Sequence, residues 1–345
     1  MTATVFGCSG FLGRYIAQSL GNSGTQLVLP YRCDALDVSH LRTMGDLGQV
    51  VPLPGFNIRD DEAIKRAVSQ SSLVINLIGT DAETWNYSFE DVHVDFPRRL
   101  AAAVKEVGKA ERVVHVSCLG AAPDAPSRRL RTKAAGEALV ASELGQALTL
   151  IKSAVMTGTE DRLFNKYAGW IKALPAVPLL GGGGAQLQPV WVRDVAQAVM
   201  NALHSWEAAG KTYHLAGPDV FTVAELVDFT YRTVREEPAT VPFPAALARA
   251  LALPGDWVAK RTPFRGPSSF TADSIDELGA DFLLPAAPGV LTFADLDMAP
   301  RRVTEGIPIE YLRHYRSGGY DFGSTAPEAT TGGGGGFRPP DRDHV

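Results

Sequence analysis

The sequence predicts a doubly wound α/β fold, a parallel sheet covered by helices on both faces, with a smaller and less regular lobe after it. Three observations carry this. Short runs rich in Val, Ile and Leu alternate with helix-period segments over the first 155 residues; a glycine-rich turn joins the first strand to the first helix; the alternation fades beyond residue 155. The strand-like runs are 3–6, 26–31, 50–53, 73–78, 112–117 and 148–152. Short apolar runs of this kind suit strands buried on both faces. Helical patterns lie between them near 11–22, 60–70, 92–107 and 127–144. The third carries Val92, Phe96, Leu100, Ala103, Val104 and Val107 on one stripe, the spacing of a helix with one buried face. Strand and helix in alternation predict parallel pairing with right-handed crossovers.

Composition sets the limits. The 345 residues are 45% hydrophobic and 21% charged, with a net charge of −5, enough apolar content for a large core without disulfides. The acidic balance argues against general nucleic-acid binding. Cys8, Cys33 and Cys118 are the three cysteines; their spacing fits neither a zinc site nor a disulfide framework, so a reducing compartment is expected. No apolar run reaches the roughly 18 residues that would span a bilayer. The chain goes directly into a strand, so no targeting segment is visible, although a removed transit peptide would leave no trace. Residues 1–160 are expected to form the first domain, with 190–217 returning to it. Residues 161–322 form the second lobe, with a flexible loop at 181–184 and a helix capped by Thr222 running to about residue 236. From residue 323 the composition narrows to Gly, Pro, Ser, Thr and charge, and 323–345 is read as a disordered tail.

The turn reads Gly7-Cys8-Ser9-Gly10-Phe11-Leu12-Gly13. It follows a strand and opens a helix, which is the setting of a Rossmann-type dinucleotide loop. Gly7 permits the tight turn, Gly10 lets backbone approach a pyrophosphate, and Gly13 lets helix pack closely on strand. The helix start offers free N–H groups and a positive dipole end to the phosphates. At the end of the second strand, where an NAD site places an acid for the ribose 2′-hydroxyl, stands Arg32. A guanidinium suits a 2′-phosphate, which favours NADPH.

Longer strings narrow the reading: Pro30-Tyr-Arg-Cys-Asp, Met44-Gly-Asp-Leu-Gly-Gln, Val74-Ile-Asn-Leu-Ile-Gly, Phe89-Glu-Asp-Val, Arg131-x-Lys133-Ala-x-Gly-Glu and Glu160-Asp-Arg. With the glycine loop they resemble the Rossmann-type accessory subunits of mitochondrial respiratory complex I (alpha-subcomplex subunit nine), atypical members of the short-chain dehydrogenase/reductase superfamily. The resemblance covers roughly residues 3 to 320. It implies a protein peripheral to the inner membrane on the matrix side, partnered by other complex I subunits. It also implies tightly held NADPH without turnover, and a role in stabilising the junction of the hydrophilic and membrane arms near the quinone site.

A reductase of that superfamily needs Tyr-x-x-x-Lys, tyrosine to move the proton and lysine to hold the nicotinamide ribose. The expected lysine is Lys133, and four residues before it stands Arg129, which stays protonated near neutral pH. None of the nine tyrosines has lysine four residues later. The chain is therefore expected not to be an enzyme. Ser117 and Lys133 remain candidates for contact with the cofactor, Asn57 and Ile58 for the adenine, and Asn76 for the cleft at the strand ends. The sixth strand ends Lys152-Ser153-Ala154, where family members often carry proline after the lysine. Gly210-Lys211-Thr212 imitates a P-loop, but Ser205 occupies the required glycine position. Neither a His-x-x-x-His pair nor a Gly-x-Ser-x-Gly elbow occurs. The apolar stretch 241–264, with scattered cations, reads either as a helix closing the second lobe or as a membrane-facing surface. The basic run Arg128-Arg129-Leu130-Arg131 reads as a solvated face or a dock for acidic partners or cofactor phosphates. A free NADP-dependent reductase or epimerase and an NADP-sensing binding module stand as alternatives.

Overall fold

The computed structural model describes residues 1–262 and 271–316. The tail at 323–345 and the last two residues of the 241–264 segment lie outside the described residues. In chain order the elements are β1 (Thr2–Phe6), α1 (Phe11–Asn22), β2 (Gln26–Pro30), β3 (Val50–Leu53), α2 (Asp61–Val68), β4 (Leu73–Asn76), α3 (Phe96–Val107), β5 (Arg112–Cys118), α4 (Arg128–Leu144) and β6 (Leu148–Ser153). There follow β7 (Met156–Thr157), α5 (Phe164–Ala173), β8 (Val177–Leu180), β9 (Gln186–Leu187), β10 (Val190–Trp191), α6 (Val192–His204), β11 (Thr212–Leu215), β12 (Phe221–Thr222), α7 (Val223–Val234), β13 (Thr240–Phe243), α8 (Ala245–Arg261), α9 (Ala272–Leu278) and α10 (Ile307–Leu312).

Seven strands form one sheet in the order β11-β6-β5-β4-β1-β2-β3, every pair parallel. The order reverses between β1 and β4, so the crevice of a doubly wound sheet opens where the glycine turn leaves β1. On one face α1 and α6 bury Leu12, Ile16, Leu20, Val195 and Val199; on the other α2, α3 and α4 bury Ile64, Phe96, Leu100 and Val140. The second lobe has its own core, built on Phe164, Tyr167, Leu226, Val227 and Leu312.

Local chemistry sets the boundaries. Asp60 caps α2 by accepting from Glu62 and Ala63 N–H, Ser127 caps α4 through Leu130 N–H, and Thr222 with Glu225 makes a capping box on α7. β4 ends at Asn76, two residues sooner than its apolar run, because the Asn76 amide oxygen accepts the Ile78 N–H at 3.1 Å and turns the chain. The helix expected from residue 92 begins with a π-turn, Asp91–Asp95, before α3. Pro97 lacks the N–H that the His93 carbonyl needs, and α4 packs against that carbonyl: a Cβ on Gly136 would lie 1.9 Å from it.

Two segments differ from their sequence reading. The stretch from 241 is not one helix. It starts as β13, paired parallel with β8, because Pro242 and Pro244 hold the chain extended before α8. At 181–184, Gly181, Gly182 and Gly183 all have positive φ (55, 77 and 77°), so the loop is a specific turn that only glycines take without strain.

Candidate dinucleotide-binding site

β1 delivers the chain to Gly7, whose φ of +82° makes the turn. A Cβ there would sit 3.0 Å from the Leu77 carbonyl carbon, and one on Gly13 only 2.2 Å from the Gly7 oxygen. Gly7 and Gly13 thus let turn, helix and neighbouring strand close on each other. Gly10 N–H donates to the Gly7 carbonyl at 3.0 Å, and Gly10 itself is exposed at the N-cap of α1. No side chain caps this helix, so its first-turn N–H groups face outward as an anion site. Around the loop, Leu12 is buried, Phe11 meets Tyr15 edge-on, and the Ser9 carbonyl accepts from Arg14 Nε. Cys8 is fully buried with its thiol toward the Pro30 carbonyl, and burial pushes its pKa up to about 12.

At the ends of β2 and β3 lies a second group. Arg32 is exposed, its guanidinium 5.2 Å from the Tyr87 ring centre, and it has no carboxylate partner among the described residues. Arg59 stands over the same ring at 4.9 Å. The Asn57 side-chain oxygen accepts from Arg59 N–H at 3.0 Å and from the Tyr87 hydroxyl at 3.4 Å, while Ile58 packs on the core beneath. Arg59 and Tyr87 are absent from the sequence reading, and no periodicity marks them. They come from two different loops that only the fold brings together.

At the end of β5 a small recess is lined by Ile78, His93, His115, Ser117 and Lys133 among others. The Ser117 hydroxyl is buried with no hydrogen-bond partner. The Lys133 ammonium reaches the same recess, 3.8 Å from where a Cβ on Gly79 would lie, and has no carboxylate partner among the described residues. An orphaned hydroxyl beside an ammonium fits the ribose hydroxyls of a nicotinamide cofactor, which neutral carbon surfaces would not satisfy. Asn76 is buried behind them, its amide nitrogen 3.0 Å from His115 Nδ1 and its oxygen held by Ile78 N–H.

The two histidines are neutral for structural reasons. Thr132 donates its hydroxyl to the Arg129 carbonyl, so His93 Nδ1–H donates to Thr132 Oγ1 at 3.0 Å while His93 Nε2 accepts the Thr80 N–H. Burial, reinforced by Lys133, Arg129 and His115, takes its pKa down to about 2; burial and then Lys133 take His115 to about 4.

Arg129 turns away from the recess. It makes a forked pair with Glu277 of α9, Nε to Oε1 at 2.7 Å and Nη2 to Oε2 at 2.6 Å. Asp273, one turn earlier in α9, accepts the backbone N–H groups of Arg128 and Arg129. Arg128 pairs with Glu83 and Glu90, and Arg131 donates to the Ala125 and Pro126 carbonyls. The basic run is thus a partly solvated face, Arg128 and Arg131 being exposed, whose arginines are paired within the chain and tie α4 to the second lobe and to the loop after β4. At the Glu160-Asp-Arg string, an ion pair from Arg14 to Glu160 closes the end of the first domain and one from Arg162 to Asp81 joins the lobes.

Among curated relatives, the chain is 45% identical over 331 residues to NADH dehydrogenase (ubiquinone) 1 alpha subcomplex subunit 9, mitochondrial, of Arabidopsis thaliana, covering 95% of this chain and 81% of that one. Its mouse counterpart is 39% identical across 92% of this chain and 81% of its own length. The chain belongs to the complex I subunit 9 family. The family extends to the NADH-ubiquinone oxidoreductase 40 kDa subunit, mitochondrial, of Neurospora crassa, 35% identical over 92% of this chain and 80% of that protein. A broader family description, NAD dependent epimerase/dehydratase, matches residues 3–143. Solved structures share the fold at low identity. A dTDP-glucose 4,6-dehydratase of Bacillus anthracis in complex with NAD has a TM-score of 0.65 at 16% identity, over 91% of this chain and 96% of that one. The UDP-glucose 4-epimerase of Thermus thermophilus in complex with NAD gives 0.57 at 20%, over 81% of this chain and 99% of that one.

Proposed function

We propose that this chain is a non-catalytic accessory subunit of complex I that holds NADPH as a structural part, on the matrix side of the mitochondrial inner membrane. The observation that carries the reading is the contrast between an intact glycine loop and Arg129. The loop keeps every glycine a pyrophosphate requires, while the position from which a tyrosine would move a proton holds a guanidinium committed to Glu277. Bound NADPH would supply hydride chemistry; here Gly7, Ser9, Gly10, Phe11, Leu12 and Gly13 bind its phosphates through backbone. Arg32, with Arg59 beside it, binds the 2′-phosphate. Asn57, Ile58 and Asn76 form the adenine side and the cleft wall, and Ser117 and Lys133 hold the nicotinamide ribose. No residue at Tyr-x-x-x-Lys spacing moves a proton.

Residues 1–160 with 190–217 are the nucleotide-binding domain, and 161–322 the lobe that faces partners. Within that lobe α8 exposes Leu247, Leu251, Leu253 and Trp257 beside Arg249, Lys260 and Arg261, an apolar and cationic face suited to a membrane surface or a subunit lying on one. The subunit stabilises the junction of the hydrophilic and membrane arms near the quinone site.

The test is to isolate the intact complex and measure nucleotide released on denaturation. One NADP(H) per copy of this chain, retained through prolonged dialysis, is expected. NAD(H) in its place overturns the role of Arg32. Steady NADPH oxidation with carbonyl compounds, abolished by Lys133→Ala, overturns the non-catalytic reading, and migration of the chain as a free protein overturns the assembly.

A further inference from the structure

The second lobe contains a cavity of about 230 Å³ that no part of the dinucleotide cleft touches. Six elements wall it: α5 through Tyr167 and Trp170, β8 through Leu179, α7 through Val223, β13 through Phe243, α8 through Ala248 and α9 through Ile275. These side chains are apolar or aromatic. Protein interiors pack as tightly as organic crystals, with few voids larger than a water molecule. An engineered apolar cavity of roughly 150 Å³ stays dry and takes up benzene. A larger one with an almost wholly apolar lining is a site for hydrocarbon.

Two further observations define the molecule that fits. Lys166 precedes the cavity-lining Tyr167 and lies 4.7 Å from the centre of its ring and 5.4 Å from that of Trp170. It is half-buried and has no carboxylate partner among the described residues. Burial lowers its pKa to about 8, as for a cation short of countercharge. The wall formed by α8 is also the weakest. That helix buries only Ala248 and Ala252 against Ile275, contains Pro254, and turns Leu247, Leu251 and Trp257 to the outside. A helix apolar on its outer face and thinly held on its inner one gives hydrocarbon a route in.

We infer that this cavity binds one aliphatic chain of an anionic amphiphile, its tail between α5, α7 and α8 and its carboxylate or phosphate head at Lys166. None of its residues takes part in nucleotide binding, so the inference does not depend on NADPH being present.

The full chain, stripped of lipid, is titrated with dodecanoic, tetradecanoic and hexadecanoic acid and followed by native mass spectrometry. In a parallel arm it is incubated with dioleoylphosphatidylglycerol vesicles and re-isolated. Saturable one-to-one binding is expected, with affinity rising about three- to fourfold per added methylene until the cavity is full. Ala248→Phe, which fills the cavity, lowers affinity by about tenfold or more at an unchanged or raised melting temperature. Should that variant misfold, Lys166→Met decides: it weakens the acids by about tenfold and leaves hexadecanol unaffected, a split that general loss of structure cannot produce. Retained phospholipid marks the bilayer as the source, and uptake of free acid alone marks a soluble source; either supports the site. Absence of saturable binding in both arms, or folded variants that bind like the parent, overturns it.

Discussion

At the scale of single residues, the glycine loop separates folding from binding. Gly13 has no room for a side chain, its Cβ position lying 2.2 Å from the Gly7 oxygen. Gly13→Ala should therefore destabilise the nucleotide-free chain by about 1–3 kcal/mol, read as a shift in denaturant midpoint. Gly10 is exposed, and a Cβ there would meet only the Gly7 oxygen, at 3.2 Å. Gly10→Val should leave the nucleotide-free chain stable to within about 1 kcal/mol and empty it of nucleotide, because the added carbons fill pyrophosphate space. A Gly10→Val protein that keeps its nucleotide overturns the placement. The loop was legible in the sequence because its logic is local: turn, close approach and helix start fall within seven consecutive residues. Arg59 and Tyr87 were not, since a ring shared by two guanidiniums from separate loops leaves no mark in either loop alone.

At the scale of elements, α4 and α9 meet through charge across some 145 residues of chain, Arg129 on Glu277 and Asp273 on the start of α4. Both side chains of the Arg129–Glu277 pair are only 15% exposed, so removing one leaves the other with a single weaker partner, Ser127 for Glu277 and Asp81 for Arg129. Arg129→Leu should cost about 2–4 kcal/mol. Adding Glu277→Leu should recover part of this, with a coupling of about 1–3 kcal/mol in a double-mutant cycle measured by denaturant unfolding. Additive losses would show that the fork contributes no pairwise energy. The helices themselves were readable from their caps, as at Thr222, but their pairing was not. A basic run such as 128–131 looks the same whether it faces water or an acidic helix folded back upon it. Likewise β13 was hidden inside an apolar stretch because its partner, β8, lies some 60 residues away.

At the scale of the whole molecule, stability should depend on pH through His93 and His115. Both are buried and neutral, with folded-state pKa values of about 2 and about 4, below the 6.5 of a free histidine. As pH falls through 6.5 the unfolded chain takes up two protons that the folded chain refuses. Stability is therefore full above about pH 7 and is lost toward acid, by roughly 1 kcal/mol per histidine between pH 7 and 5.5. Burial shifts His214 the same way. Thermal unfolding across that range checks the slope, and His93→Gln should flatten it; an unchanged slope would mean that His93 is protonated in the fold. The parallel, doubly wound sheet followed from alternation and handedness rules that act on the chain as a whole; its strand order came from the fold. The second lobe obeys no such rule, its short strands and isolated pairs being fixed by packing around its own core of Phe164, Tyr167, Leu226 and Leu312.

Cys8 bears on the durability of this arrangement. It sits inside the glycine loop, fully buried, with its thiol pushed up to about 12. At pH 8 only about one such thiol in ten thousand is ionised. Peroxide and electrophiles attack thiolates, so the sulfur inside the glycine loop resists modification. Chemical ageing of this protein should begin at its half-buried Cys33 and Cys118, with the loop at Cys8 the last to change.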